Sequence, residues 1–73
     1  MDMEKIAKYP KQEKLTHRRQ VMNLTRAELA EKSGVSANTI TDYEFGRRRV
    51  NIDTISKIAQ ALNCTIDEIV IAQ

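Results

Sequence analysis

Between Leu24 and Gly46 the chain starts a helix twice around a single glycine turn. Thr25-Arg26-Ala27-Glu28 fits a capping box: the Thr25 hydroxyl accepts from the Glu28 amide, and the Glu28 carboxylate reaches back to the Thr25 amide. Leu29 and Ala30 then point inward, Ser33-Gly34 turns the chain, and Val35 plugs the turn. Ser36 opens the second helix, which carries Ile40 and Tyr43 at helical spacing and stops at Gly46. Two short helices joined by a glycine-containing turn form a helix-turn-helix pattern. With 73 residues in all, the chain is one small domain or a piece of something larger, and a long multi-step active site has no room in it.

The flanks also read as helix. Lys11 to Met22 is helix-compatible throughout, with Leu15 and Met22 a heptad apart and Arg18 and Arg19 between them on the same side. Asn23 ends that run, because Asn tolerates the left-handed conformation that closes a helix where Gly is absent. Beyond the arginine loop, Asn51 caps a helix whose Ile52, Ile55, Ile58, Ala59 and Leu62 share a face, and Asn63 closes it. Thr65-Ile66-Asp67-Glu68 is a second capping box, starting a last turn or two with Ile66, Ile69 and Val70 available to the core. Only 2 Gly and 1 Pro argue against a turn-rich β fold. The expectation is an all-α, five-helix domain over residues 11–73, behind a loose arm of residues 1–10 that holds Lys5 and Lys8 and ends at Tyr9-Pro10.

Several function classes drop out. Cys64 and His17 each stand alone, so neither an intrachain disulfide nor a zinc site is available, and no metal or cofactor is implied. Cys64 is expected as a small core residue, His17 on the exposed side of the first helix. There is no Gly-rich phosphate loop, and the acidic neighbours Glu28/Glu31 and Asp67/Glu68 suit helix starts and surface better than a catalytic pair, so no catalytic residue is assigned. No apolar run approaches the roughly 18 residues of a membrane span, and the beginning MDMEKIAKYPKQEKL carries acids without an apolar signal core. A soluble, cytoplasmic protein is expected, stabilised by packing within the chain or across a dimer interface.

Net charge is only +2, but it is unevenly spread: residues 1–50 hold eleven Lys/Arg against seven Asp/Glu, while residues 51–73 hold one against three. The first part is the candidate for a polyanion.

The segment LTRAELAEKSGVSANTITDYEFG, together with Arg19, Leu29-Ala30, Gly34-Val35, Ile40, Glu44, Gly46 and the later Ala59-Gln60-Ala61-Leu62, resembles the lambda-repressor-like (Cro/C1-type, XRE) helix-turn-helix family over roughly residues 11–70. Departures are Asn23 and Asn63 where Gly is usual, Val50 where Pro is common, Phe45 in place of a polar residue, and Arg18 at a usually apolar position. The resemblance implies a sequence-specific regulator of transcription, most readily a repressor, whose second helix of the motif lies in the major groove of double-stranded DNA.

On that helix Ala37, Asn38, Thr41 and Asp42 face away from the Ile40/Tyr43 stripe and are the expected base readers. Asn38 has the amide that pairs bidentately with adenine, Ala37 at most touches a thymine methyl, and an acidic Asp42 either accepts from cytosine N4 or repels phosphates. Residues 24–46 hold Arg26 and Lys32 against Glu28, Glu31, Asp42 and Glu44, so the motif itself is not basic. Phosphate contacts therefore fall to Arg47, Arg48 and Arg49 after it, Lys11, Lys14 and Arg18 before it, and Arg26, Ser36 and Thr39 within it.

Arg19 shares a side with Leu15 and Met22, and a charge turned toward a core demands a partner, which the resemblance gives as Glu44. A two-fold homodimer on an inverted-repeat operator is expected: Ile66, Ile69, Val70 and Ile71 are more apolar residues than one short terminal helix can turn inward, which leaves some of Val70 and Ile71 for a partner. The alternative is a protein-interaction module, an antitoxin or adaptor, docking through Ile69-Val70-Ile71.

Overall fold

The computed structural model describes residues 7–71. Among the described residues four α-helices follow in order, α1 Glu13–Val21, α2 Arg26–Ser33, α3 Ala37–Phe45 and α4 Ile52–Ala61, and after them a 3-10 turn at Ile66–Glu68. Among the described residues there is no strand. The expected fifth helix is therefore one 3-10 turn: Ile69 drops fully into the core and the chain beyond it is drawn out against Gln12, so the helix cannot propagate.

Local chemistry sets the helix ends. Thr25 and Glu28 form the expected reciprocal box, at 3.0 Å for Glu28 N to Thr25 Oγ1 and 2.8 Å for Thr25 N to Glu28 Oε1. Ser36 and Asn51 cap α3 and α4 by accepting from Thr39 N and Thr54 N. Asn23 (φ 58°) and Asn63 (φ 53°) take the left-handed conformation, as the sequence suggested. At α4's C-terminus Arg18 helps: Nε and Nη2 donate to the Leu62 carbonyl at 3.1 and 2.9 Å, and Nη2 reaches the Asn63 carbonyl at 3.3 Å, a cation on the negative end of the helix.

The core is built by Leu15, Leu29, Ile40, Tyr43, Ile55, Ile58, Leu62 and Ile69, all essentially fully buried. Burying each large side chain contributes about 1.5–3 kcal/mol. α2 lies against both α3 and α4, and α1 touches α3. Met22 and Cys64 pack on the edge of this core, half-buried, and His17 is exposed. Burial pushes the Cys64 thiol above its ordinary value, so it is a poor nucleophile.

Residues 1–6 of the expected arm, Lys5 among them, lie outside the described residues. The end of the arm is fastened: the amides of Lys8 and Tyr9 both donate to the Gly46 carbonyl at 2.9 Å. Gly46 sits at φ 73°, and a Cβ there would collide with the Tyr9 carbonyl, so two independent constraints require glycine.

Candidate nucleic-acid interface

Three segments converge around the end of α3: its own last turn, the N-terminus of α2, and the loop of residues 46–50. The link is Glu44, whose side chain is 1% exposed. Its Oε2 accepts from Arg19 Nε at 2.7 Å, while Oε1 accepts from Arg19 Nη2 at 3.2 Å and from Arg26 Nε at 2.8 Å. Arg19 also donates from Nη1 to the Leu24 carbonyl at 2.9 Å. One buried carboxylate thus joins α1, α2 and α3, and Arg19 finds the partner that its inward position required.

Arg26 is shared between this buried network and the surface: its side chain is 37% exposed, and its Cζ stands 5.1 Å from the Phe45 ring centroid. Arg47 stands equally close to that ring, at 5.1 Å. Arg48 Nη2 donates to Asp42 Oδ2 at 3.1 Å, and Arg47 Nη1 lies 4.0 Å from Asp42 Oδ1. Arg49 lies over Tyr9, at 5.7 Å. Around α3's end, Arg19, Arg26, Arg47 and Arg48 therefore face the carboxylates of Asp42 and Glu44, an excess of positive charge.

On the exposed side of α3, Asn38 is open to solvent and Ala37 is half-buried. Thr41 Oγ1 is taken up by the Ala37 carbonyl at 2.8 Å, and Asp42 by the arginines just named. Ser36 and Thr39 share a hydroxyl–hydroxyl bond at 2.9 Å beside the cap. Of the positions named from sequence, Asn38 keeps its whole side-chain amide without an intramolecular partner among the described residues.

The structure separates Lys14 and Arg18 of α1 from the arginine cluster. Lys14 Nζ donates to the Asp67 carbonyl at 3.4 Å, Arg18 caps α4, and both line a shallow groove with Glu13, His17, Asp67 and Glu68. Lys11 is exposed ahead of α1. Sequence reasoning missed two residues. Phe45 was noted only as an apolar replacement, although an exposed aromatic ring beside three arginines is itself a signal. Gln12, 1% exposed, gave no signal at all.

Among the described residues no group of His, Cys, Asp and Glu is arranged to hold a metal ion, and no helix is long and apolar enough to cross a membrane.

Residues 17–69 match a family model described as Helix-turn-helix (HTH_3). Over 57 residues the chain is 35% identical to the cryptic phage CTXphi transcriptional repressor RstR of Vibrio cholerae serotype O1, an alignment covering 78% of this chain and 51% of that protein. The chain thus spans about half the length of this curated relative. The crystal structure of an HTH_3 family transcriptional regulator from Vibrio cholerae has the same fold, with a TM-score of 0.77 over 92% of this chain and 38% of that one, at 24% identity.

Proposed function

The chain belongs to the helix-turn-helix family HTH_3, and from that premise we propose that it is a cytoplasmic regulator of transcription, a repressor that occupies promoter DNA. It is a binding protein rather than an enzyme. The observation that carries the reading is the pairing of an open reader with a fixed cationic surround: Asn38 is exposed in the first turn of α3, while Arg26, Arg47 and Arg48 flank the other end of the same helix. Asn38 reads adenine in the major groove, Ala37 lies against the base edges, and the flanking arginines with Ser36 and Thr39 meet phosphates. Thr41 and Asp42 have intramolecular partners to give up first, so they are secondary readers. Lys11 contributes to phosphate attraction, and Lys14 and Arg18 act mainly by holding α1 on α4 and the 3-10 turn.

One recognition helix fixes too few base pairs to select one promoter from roughly 10⁶ or more competing sites. A two-fold homodimer on inverted half-sites, about 10 base pairs centre to centre, supplies the rest. Ile69, part of the edge that a protein-docking reading would use, is fully buried. Val70 and Ile71 stay half-buried, and Ile52 at the first position of α4 is 64% exposed, which leaves apolar surface for a second copy.

Selection of bound sites from a random DNA pool tests the reading. The expected result is an enriched inverted repeat with adenine-containing half-sites, bound by two chains. A pool that never enriches, together with no salt-dependent retardation of random duplex, overturns it; enriched sites without symmetry overturn the dimer alone.

A further inference from the structure

Phe45 has an unusual position for a large apolar side chain: it is 39% exposed, at the last residue of α3, and its ring is approached by two guanidinium groups from different parts of the chain. Arg26 comes from the first position of α2 and Arg47 from the loop after α3, each with Cζ 5.1 Å from the ring centroid. Their two guanidinium carbons are thus held within about 10 Å of each other, the sum of those two distances. Among the described residues, no carboxylate is given over to this pair alone. Glu44 is shared between Arg26 and the more deeply buried Arg19, and Asp42 is shared between Arg47, at 4.0 Å, and the closer Arg48.

Like charges are brought together here at an electrostatic cost, and the attraction of each cation for the ring offsets part of it. Both side chains remain about one-third exposed, 37% for Arg26 and 34% for Arg47. Among the described residues, Nε is the only guanidinium nitrogen of Arg26 that makes a hydrogen bond, and the Arg47 guanidinium makes none. Free donors on two oriented, planar, permanently charged groups match the oxygens of phosphodiesters.

We propose that Phe45 is the positioning residue of a paired-arginine site, in which its ring holds Arg26 and Arg47 ready for backbone phosphodiesters of duplex DNA. The proposal rests on the DNA-binding reading above and adds to it the residue that assembles the contact. Flexible arginines lose side-chain freedom when they bind, and guanidiniums already laid against a ring lose less. Phe45 acts through the arginines, without reading bases, so its effect is equal on every sequence.

The test uses the full chain and a random-sequence duplex, with binding followed by fluorescence anisotropy. Phe45→Leu keeps the apolar bulk and removes the ring; Phe45→Trp keeps a ring. Phe45→Leu is expected to weaken binding about three- to tenfold on random and selected duplexes alike, and Phe45→Trp to bind at least as tightly as the parent. In an Arg26→Ala/Arg47→Ala background, Phe45→Leu should have no further effect.

Unchanged affinity in Phe45→Leu overturns the proposal, and so does an undiminished loss in the background lacking both arginines, which means that the ring touches DNA directly. Nuclear magnetic resonance of the free protein gives a check without DNA: the Nε–Hε signals of Arg26 and Arg47 should be displaced by the ring, and signals at free-arginine positions overturn the platform. A parent protein that binds no duplex at all defeats the DNA-binding reading itself, an outcome distinct from a parent that binds and a Phe45→Leu variant that binds equally well.

Discussion

Gln12 and Ile71 bond to each other as residues on neighbouring strands do: the Ile71 amide donates to Gln12 Oε1 at 2.6 Å, and Gln12 Nε2 donates to the Ile71 carbonyl at 3.3 Å. A side-chain amide here takes the place of a peptide group. Gln12 Nε2 also reaches the Pro10 carbonyl at 3.4 Å. Gln12→Ala removes both partners of Ile71 and is expected to cost about 1–3 kcal/mol, read as a lower denaturation midpoint at an unchanged slope. A variant that melts with the parent would show that water replaces the amide without penalty.

The buried carboxylate of Glu44 sets the second expectation. Arg19→Ala leaves Glu44 with only Arg26, about one-third exposed, and Glu44→Ala leaves the nearly buried Arg19 with the Leu24 carbonyl but no counter-charge. Each should destabilise the fold by on the order of 3 kcal/mol, and the double variant by clearly less than the sum. A cycle with additive losses would mean that the two side chains act independently.

Base reading and phosphate attraction should separate by mutation. Asn38→Ala is expected to lose roughly 1–3 kcal/mol on the selected site and to relax one base position. Arg48→Ala is expected to weaken all sequences alike and to flatten the dependence of log K on log salt. Equal losses on selected and random duplexes for Asn38→Ala would remove it from the base-reading set.

Acid stability follows from the two capping boxes. The Thr25 amide, and then the Thr25 hydroxyl, hold the exposed Glu28 carboxyl below its ordinary value of 4.5, and Thr65 does the same for Glu68. A carboxyl depressed in the folded state contributes stability that is fully present above pH 4.5 and is lost as pH falls through the lower folded value. Glu28→Ala/Glu68→Ala should therefore be less stable near neutrality and converge on the parent in acid. Melting curves from pH 7 down to about 2 that run parallel for the two proteins would exclude this.

Features encoded within a few residues were legible in the sequence. Thr25 with Glu28, the caps Ser36 and Asn51, and the left-handed Asn23 and Asn63 all depend on neighbours along the chain, so composition and spacing suffice. The inward Arg19 was legible because a charge on an apolar stripe has few solutions. What escaped were contacts between distant segments. Gln12 reads as an ordinary surface residue until Ile71 arrives, 59 positions away. Thr65 and Glu68 announced a helix start correctly, yet its continuation depended on where Ile69 and Ile71 were needed, and it stopped after one 3-10 turn. The capping role of Arg18 escaped for the same reason: its partners, the carbonyls of Leu62 and Asn63, lie just past the end of α4, more than 40 positions away.

The bridging of α1 and α2 through one side chain of α3 also determines how the protein comes apart. If α3 swung away alone, Arg19 and Arg26 would be left side by side with no counter-charge between them, in addition to the exposed apolar surface of Ile40 and Tyr43. Partial opening of α3 is thereby penalised, so its amides are expected to exchange with solvent together with those of α1 and α2, as one cooperative unit. On the proposed DNA-binding reading, α3 meets the groove already ordered, and association is expected to require no ordering of its backbone.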